Sequence, residues 1–172
     1  MRGLLTLILC LFLARPVSAQ KSQDFVGTWR VDPDKVEEKV TLVESSPGNS
    51  PAIPPPPPSD HKYMPELIKA GAEDVLKISG GEAGTTAVYT IDLSGKQVSD
   101  PIPDAPGCVR IATSHRSDGK IITEWRMDRD GQTFMHGTDT RSLTPSGQQI
   151  VERLIESPRH KAQTRLVMNK VP

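Results

Sequence analysis

Ser114 stands directly before His115, a hydroxyl beside an imidazole. Acyl transfer needs a nucleophile, a base and an orienting group converging in space. Neighbouring strand residues point to opposite faces, so these two cannot form a dyad without a bulge. No Gly-x-Ser-x-Gly elbow occurs. The histidines His61, His115, His136 and His160 have none of the i, i+2 or i, i+4 spacings that would put two metal ligands on one strand or helix face. His115 and His136 could meet inside a barrel, with Cys108 or Asp139 near. Two histidines on a solvent face is the plainer expectation, so no metal site and no cofactor is assigned. Carboxylates are spread evenly, and Glu124, Glu152 and Arg126 are placed for cross-strand charge pairs. The glycines Gly80, Gly81 and Gly84 lack the helix and lysine of a phosphate loop and read as a hairpin. The chain is expected not to be an enzyme.

The elements that carry these residues are short and alternating. Phe25, Trp29 and Val31 share one face, with Gly27 between them. Further strands are expected at 73–79, 85–92, 108–116, 120–128, 132–143, 148–157 and 162–170. Turn signals such as Ser94-Gly95, Asp118-Gly119, Asp130-Gly131 and Ser146-Gly147 separate them. Residues 93–107, with Pro101, Pro103 and Pro106, read as a longer loop. In 148–157, Val151, Leu154 and Ile155 also fit a helical spacing, but the length and flanking turns favour a strand. Short links make sequence neighbours antiparallel neighbours. The expected fold is all-β, an antiparallel eight-stranded up-and-down barrel, because closure removes exposed edges. A two-sheet β-sandwich is the alternative.

The 172 residues carry a formal net charge of +0, which argues against nucleic acid as a partner. Arg2, the apolar run Leu4 to Ala14 and Val17-Ser18-Ala19 read as a signal peptide over 1–19, cleaved after Ala19. Residues 20–172 then form one β-barrel domain with 19 basic and 21 acidic side chains and one cysteine, Cys108. One thiol cannot make an internal disulfide, and Cys108 reads as a small buried residue. No second run is long enough to span a membrane. The protein is expected to be exported, to a periplasmic or extracellular location. Half of its 16 prolines fall in a Pro-rich insertion at 44–65, including Pro54 to Pro58 in succession. Such a run forms a polyproline II rod and cannot enter a sheet interior. It reads as a stiff linker, a lid or a docking segment for a protein partner. Pro65 to Gly71 could form one or two helical turns.

The candidate pocket residues are Trp29, Tyr89, Ile91, Ile111, Trp125, Met127, Phe134 and His136. Most read equally as packed core or as the lining of a pocket for a small apolar ligand. The stretch Asp24-Phe25-Val26-Gly27-Thr28-Trp29-Arg30 resembles the opening strand of lipocalin-like proteins. The resemblance implies that Gly27 lets this strand bend, that Trp29 closes one end of the barrel, and that Arg165 is a possible partner of Trp29. Taken with the Pro-rich segment, Thr85, Thr86 and Tyr89, and the turn Leu143 to Gly147, the chain is similar to a group of secreted bacterial proteins of poorly defined function. Two features depart from lipocalins proper: Thr138-Asp139 is followed by Thr140 rather than Tyr, and no helix precedes the final strand. The expected function is non-catalytic binding of a small apolar ligand. The alternatives are a protein-interaction module with a filled barrel, or an enzyme of unrecognised site.

Overall fold

In the computed structural model, residues 21–42, 65–72, 74–80, 87–102 and 105–172 are described. The expected signal peptide, the Pro-rich run up to residue 64 and the glycine turn 81–84 lie outside them.

The described chain forms eleven strands: β1 (Gly27–Val31), β2 (Glu37–Leu42), β3 (Glu66–Ala70), β4 (Val75–Gly80), β5 (Ala87–Asp92), β6 (Val98–Pro101), β7 (Cys108–Ser117), β8 (Lys120–Arg129), β9 (Gln132–Leu143), β10 (Gln149–Glu156) and β11 (His160–Val171). Ten of them pair antiparallel in the order β5-β4-β3-β1-β11-β10-β9-β8-β7-β6. Each sequence neighbour is a spatial neighbour except at β1, which sits between β3 and the last strand. This is an up-and-down meander rolled into a nearly closed barrel, with more strands than the eight expected.

The three additional strands have physical causes that composition hides. β2 continues the path of β1 along β11. Val31 faces Met168 and Glu37 faces Arg165, with a 3-10 turn at Pro33–Lys35 bulging between them. β3 replaces the helical turns expected after Pro65. Ile68 packs between Gly27 and Ile78 and is 1% exposed, so burial overrides a helix-compatible sequence. β6 ends on Pro101, tolerated because β6 is laddered only to β7. Segment 149–156 is a strand, paired on both edges.

One end of the barrel is apolar. Phe25, Trp29, Ile68, Leu76, Ile91, Ile121, Val151 and Met168 form its core. Phe25 ends a 3-10 turn, and its carbonyl accepts a 2.8 Å hydrogen bond from Trp29 Nε1. The indole is thus buried without an unmet donor. Gly27 has φ +142, and a Cβ there would collide with the Lys170 side chain. Lys170 Nζ stands 5.5 Å from the Trp29 ring centroid. Lys170 therefore takes the place expected for Arg165, which instead bonds Glu37 Oε1 at 3.2 Å. The reason is register: Trp29 faces Lys170 across the ladder, whereas Arg165 faces Glu37.

The barrel closes between β5 and β6 without a ladder. Asp100 bridges this seam: its carboxylate accepts from Thr90 N–H and from the Thr90 hydroxyl, both at 2.9 Å. Asp100 is 8% exposed. Asp100→Ala should open the seam and leave Arg110 without its nearest countercharge, at a cost of about 3 kcal/mol or more. Urea unfolding would measure the loss, and hydrogen exchange should accelerate at the Thr90 amide.

Candidate functional site

The inward faces of β7 to β10 follow from alternation. Cys108, Arg110, Ala112 and Ser114 point inward from β7, and Ile121, Thr123, Trp125 and Met127 from β8. Gly137, Asp139 and Arg141 do so from β9, and Gln149, Val151 and Arg153 from β10. This interior also carries charge, beginning beside the apolar core: Glu66 faces Trp29 across the ladder, and Arg141 faces Ile121 and Val151. Arg141 grips Glu66 with both terminal nitrogens, at 2.7 and 3.2 Å. Arg153 grips Asp139 through Nε and Nη2 at 2.9 and 3.0 Å. Asp139 Oδ1 also accepts from Trp125 Nε1 at 3.1 Å. Fork-to-fork pairs of this kind fix orientation as well as charge.

Electrostatics favours the charged forms of Glu66, Asp139 and Arg153. Burial pushes the Glu66 carboxyl up, but the charge and hydrogen bonds of Arg141 more than reverse this, and it lies below the usual carboxylate range. Burial likewise raises Asp139, and Arg153, Arg141 and the Trp125 N–H together bring it below its ordinary value. The Asp139 charge raises the Arg153 guanidinium. Arg110 moves the other way: burial lowers it, against the opposing charges of Asp139 and Asp100. Arg110 lies over two aromatic faces, 4.9 Å from the Tyr89 centroid and 6.0 Å from that of Trp125. Cation–π contact of this sort holds a guanidinium in place without consuming its N–H donors.

Trp125 owes its position to Gly137, its cross-strand partner. A Cβ at Gly137 would come within 2.6 Å of Trp125 Cζ2 and closer still to the Leu154 carbonyl. The indole lies over the bare glycine, and its N–H reaches Asp139.

The expected pocket residues divide. Tyr89, Trp125 and Met127 lie on the inward side next to Arg110. Trp29 and Ile91, 1% and 2% exposed, belong to the apolar end. Ile111, Phe134 and His136 do not face the interior. Ile111 and His136 line a shallow outer groove of about 340 Å³ with Gln97, Glu124 and Arg126. His136 Nε2 stands 3.3 Å from Glu156, and Phe134 is 36% exposed with Arg129 over its ring at 5.4 Å. The cause is phase: Ile111 is one residue out of step with Arg110. A register shift after Met127 displaces the β9 segment that holds Phe134. Arg126 bonds Asp128 at 3.2 Å rather than a cross-strand acid.

Ser114 Oγ is buried against Thr123 Oγ1 at 2.9 Å, while His115 is exposed on the other face. The grouping of His115, His136 and Asp139 does not form, since only Asp139 faces inward. Cys108 is buried and unpaired, and its sulfur accepts from Arg129 Nε at 3.0 Å. Among the described residues no cluster of His, Cys, Asp and Glu could hold a metal ion, and no helix is long and apolar enough to cross a membrane.

The sequence reading missed Arg110, Arg141, Arg153, Glu66 and Asp100 as interior groups. The signal was present. Arg110 shares its strand parity with Cys108, Ala112 and Ser114, and Arg153 shares its parity with Val151 and Ile155.

Comparison with known proteins agrees with this architecture. No family model matches the chain, and no curated protein does. Solved structures do match. Fatty-acid-binding protein 1 of Echinococcus granulosus superposes with a TM-score of 0.50 at 11% identity, over 87% of this chain and 99% of that one. At that identity the likeness establishes the fold: an all-β, nearly closed barrel similar to a fatty-acid-binding protein.

Two outcomes follow from the ion pairs. Asp139 and Glu66 are held below their unfolded values of about 4, so their stabilisation is complete above that pH and is lost as pH falls through the lowered folded values. Denaturant unfolding from pH 7 to pH 2 should show stability falling below about pH 4, and Asp139→Asn should flatten that slope. The variant should also lose about 3 kcal/mol at pH 7, at the low end for a broken buried pair because Arg153 keeps 34% of its side chain exposed. Gly137→Ala should cost about 1–3 kcal/mol by overpacking and shift the Trp125 emission as its bond to Asp139 breaks.

Proposed function

We propose that the protein is an exported, non-catalytic binding protein that takes a small apolar molecule into its barrel. The observation that carries this reading is the interior surface beside Arg110. Tyr89, Trp125 and Met127 present aromatic and thioether faces there, next to an apolar core and a few fixed polar groups. That mixture is the usual lining of a small-molecule site. The likeness to a fatty-acid-binding protein supports the same reading. The state of the interior carboxylates supports a non-catalytic role. Arginine forks bring Glu66 and Asp139 below their ordinary values, the opposite direction from the raised pKa that suits a carboxyl general acid or base. The expected signal peptide supports export to the periplasm or the cell exterior.

A second reading is favoured by the two interior ion pairs, which occupy barrel volume. On that reading the barrel is filled and the outer face or the Pro-rich segment meets a protein partner. Titration with a fluorescent alkyl probe separates the two. Binding should quench Trp125 and raise the melting temperature, and Trp125→Phe should remove most of the quench. No quench and no thermal shift would overturn the ligand-binding reading in favour of the filled barrel.

A further inference from the structure

The interior groups described above include three guanidinium groups, Arg110, Arg141 and Arg153, and three carboxylates, Asp100, Asp139 and Glu66. Arg141 and Arg153 are committed to Glu66 and Asp139. Arg110 is different. Its side chain is 7% exposed, and its Nη1 is 3.7 Å from Asp100 Oδ2, beyond hydrogen-bond reach. That nitrogen has no hydrogen-bond partner. The two bonds to Thr90 hold the Asp100 carboxylate at the β5–β6 seam, at this distance from Nη1. Nor is the guanidinium free to swing away, since it lies against the Tyr89 and Trp125 rings. A fixed, buried donor left unmet is costly, so this position asks for an acceptor from outside the chain.

Charge decides which acceptor. The three cations and three anions of this interior set already balance. An incoming carboxylate would bring a fourth negative charge into a desolvated interior with no fourth cation among these groups. It would also approach Arg110 beside Asp100 and within the field of Asp139. An uncharged acceptor satisfies the N–H without that penalty. We propose that Arg110 Nη1 donates to the carbonyl oxygen of an uncharged apolar ligand, such as an ester, ketone or amide, rather than to a free carboxylate. The inference rests on the reading that the barrel binds an apolar molecule. It departs from the acid named for the fatty-acid-binding protein of similar fold.

The test uses the whole protein and three probes of matched chain, methyl decanoate, decanoate and decane, with tryptophan quenching and thermal shift as readouts at pH 7. Methyl decanoate should bind more tightly than decanoate, which brings the extra charge. It should bind about tenfold more tightly than decane, the scale of one hydrogen bond to a charged group, and Arg110→Met should abolish that advantage over decane. Decanoate binding as tightly as the ester, or more tightly, would overturn the proposal in favour of an anion site. Equal binding of ester and decane would overturn it in favour of a trapped water on Nη1. Persistence of the ester's advantage in Arg110→Met would place the acceptor elsewhere and overturn it too. If none of the three binds, the ligand-binding reading itself fails. Should Arg110→Met not fold, the ranking of the three probes on the unaltered protein decides alone.

Discussion

Asp139 is the constraint on which the interior depends. A carboxylate in a small β-barrel must be matched or neutralised, since an unpaired buried charge costs several kcal/mol. Here it accepts from two nitrogens of Arg153 and from the Trp125 indole. Those bonds tie β9 to β10 and β8 through side chains as well as through the ladder. They also fix the plane of Trp125, which in turn forms one wall against Arg110. Gly137 completes the arrangement by leaving space for the ring. A change at Asp139, Arg153, Trp125 or Gly137 is felt at the other three.

The barrel interior combines two kinds of packing. Among the aliphatic and aromatic core residues it is non-directional, and its stability comes from area removed from water. Among the arginines and carboxylates the contacts are directional, and each donor has a geometric demand. An apolar core tolerates small rearrangements of rotamers, whereas a charged network has few alternative arrangements. The seam belongs to the second kind. Asp100 replaces a run of ladder hydrogen bonds by two bonds to Thr90 and at the same time faces Arg110, so closure of the barrel and placement of Arg110 share one side chain.

Alternation made much of this legible in the sequence. The strands with clear period-two patterns, from Phe25 to Val31 and from Cys108 onward, read correctly because one face of each is buried. The strands that escaped notice lack that contrast. β2 begins Glu37-Glu38-Lys39, and its place is set by β11 across the ladder rather than by its own hydrophobicity. β3 lies between Pro65 and Gly71, which bracket a helix as readily as a strand. β6 ends on a proline. The interior charges were hidden for a different reason. An arginine in a strand is normally solvated, and nothing local marks Arg141 as the partner of Glu66, 75 residues earlier. Side-chain parity narrows the candidates, but the cross-barrel pairing depends on shear and closure, which are properties of the whole sheet.

The same long-range pairing shapes how the chain reaches its fold. β1 sits between β3 and β11, so residues 28–31 find partners at 168–171, almost the full described length away. The Glu66–Arg141 fork and the hydrogen bond from Arg116 to Ser22 join residues 75 and 94 positions apart. Contacts of such separation are entropically expensive to close and slow to form. The hairpins from β7 to β11 involve only local turns, and they carry Arg110, Trp125, Asp139, Arg141 and Arg153 together. The cationic side of the interior is therefore assembled by near neighbours. Asp100 joins them on β6, directly across the ladder from Arg110. The remaining countercharge, Glu66, arrives on β3, which must be brought round as the barrel closes, so neutralising Arg141 and completing the barrel are one event.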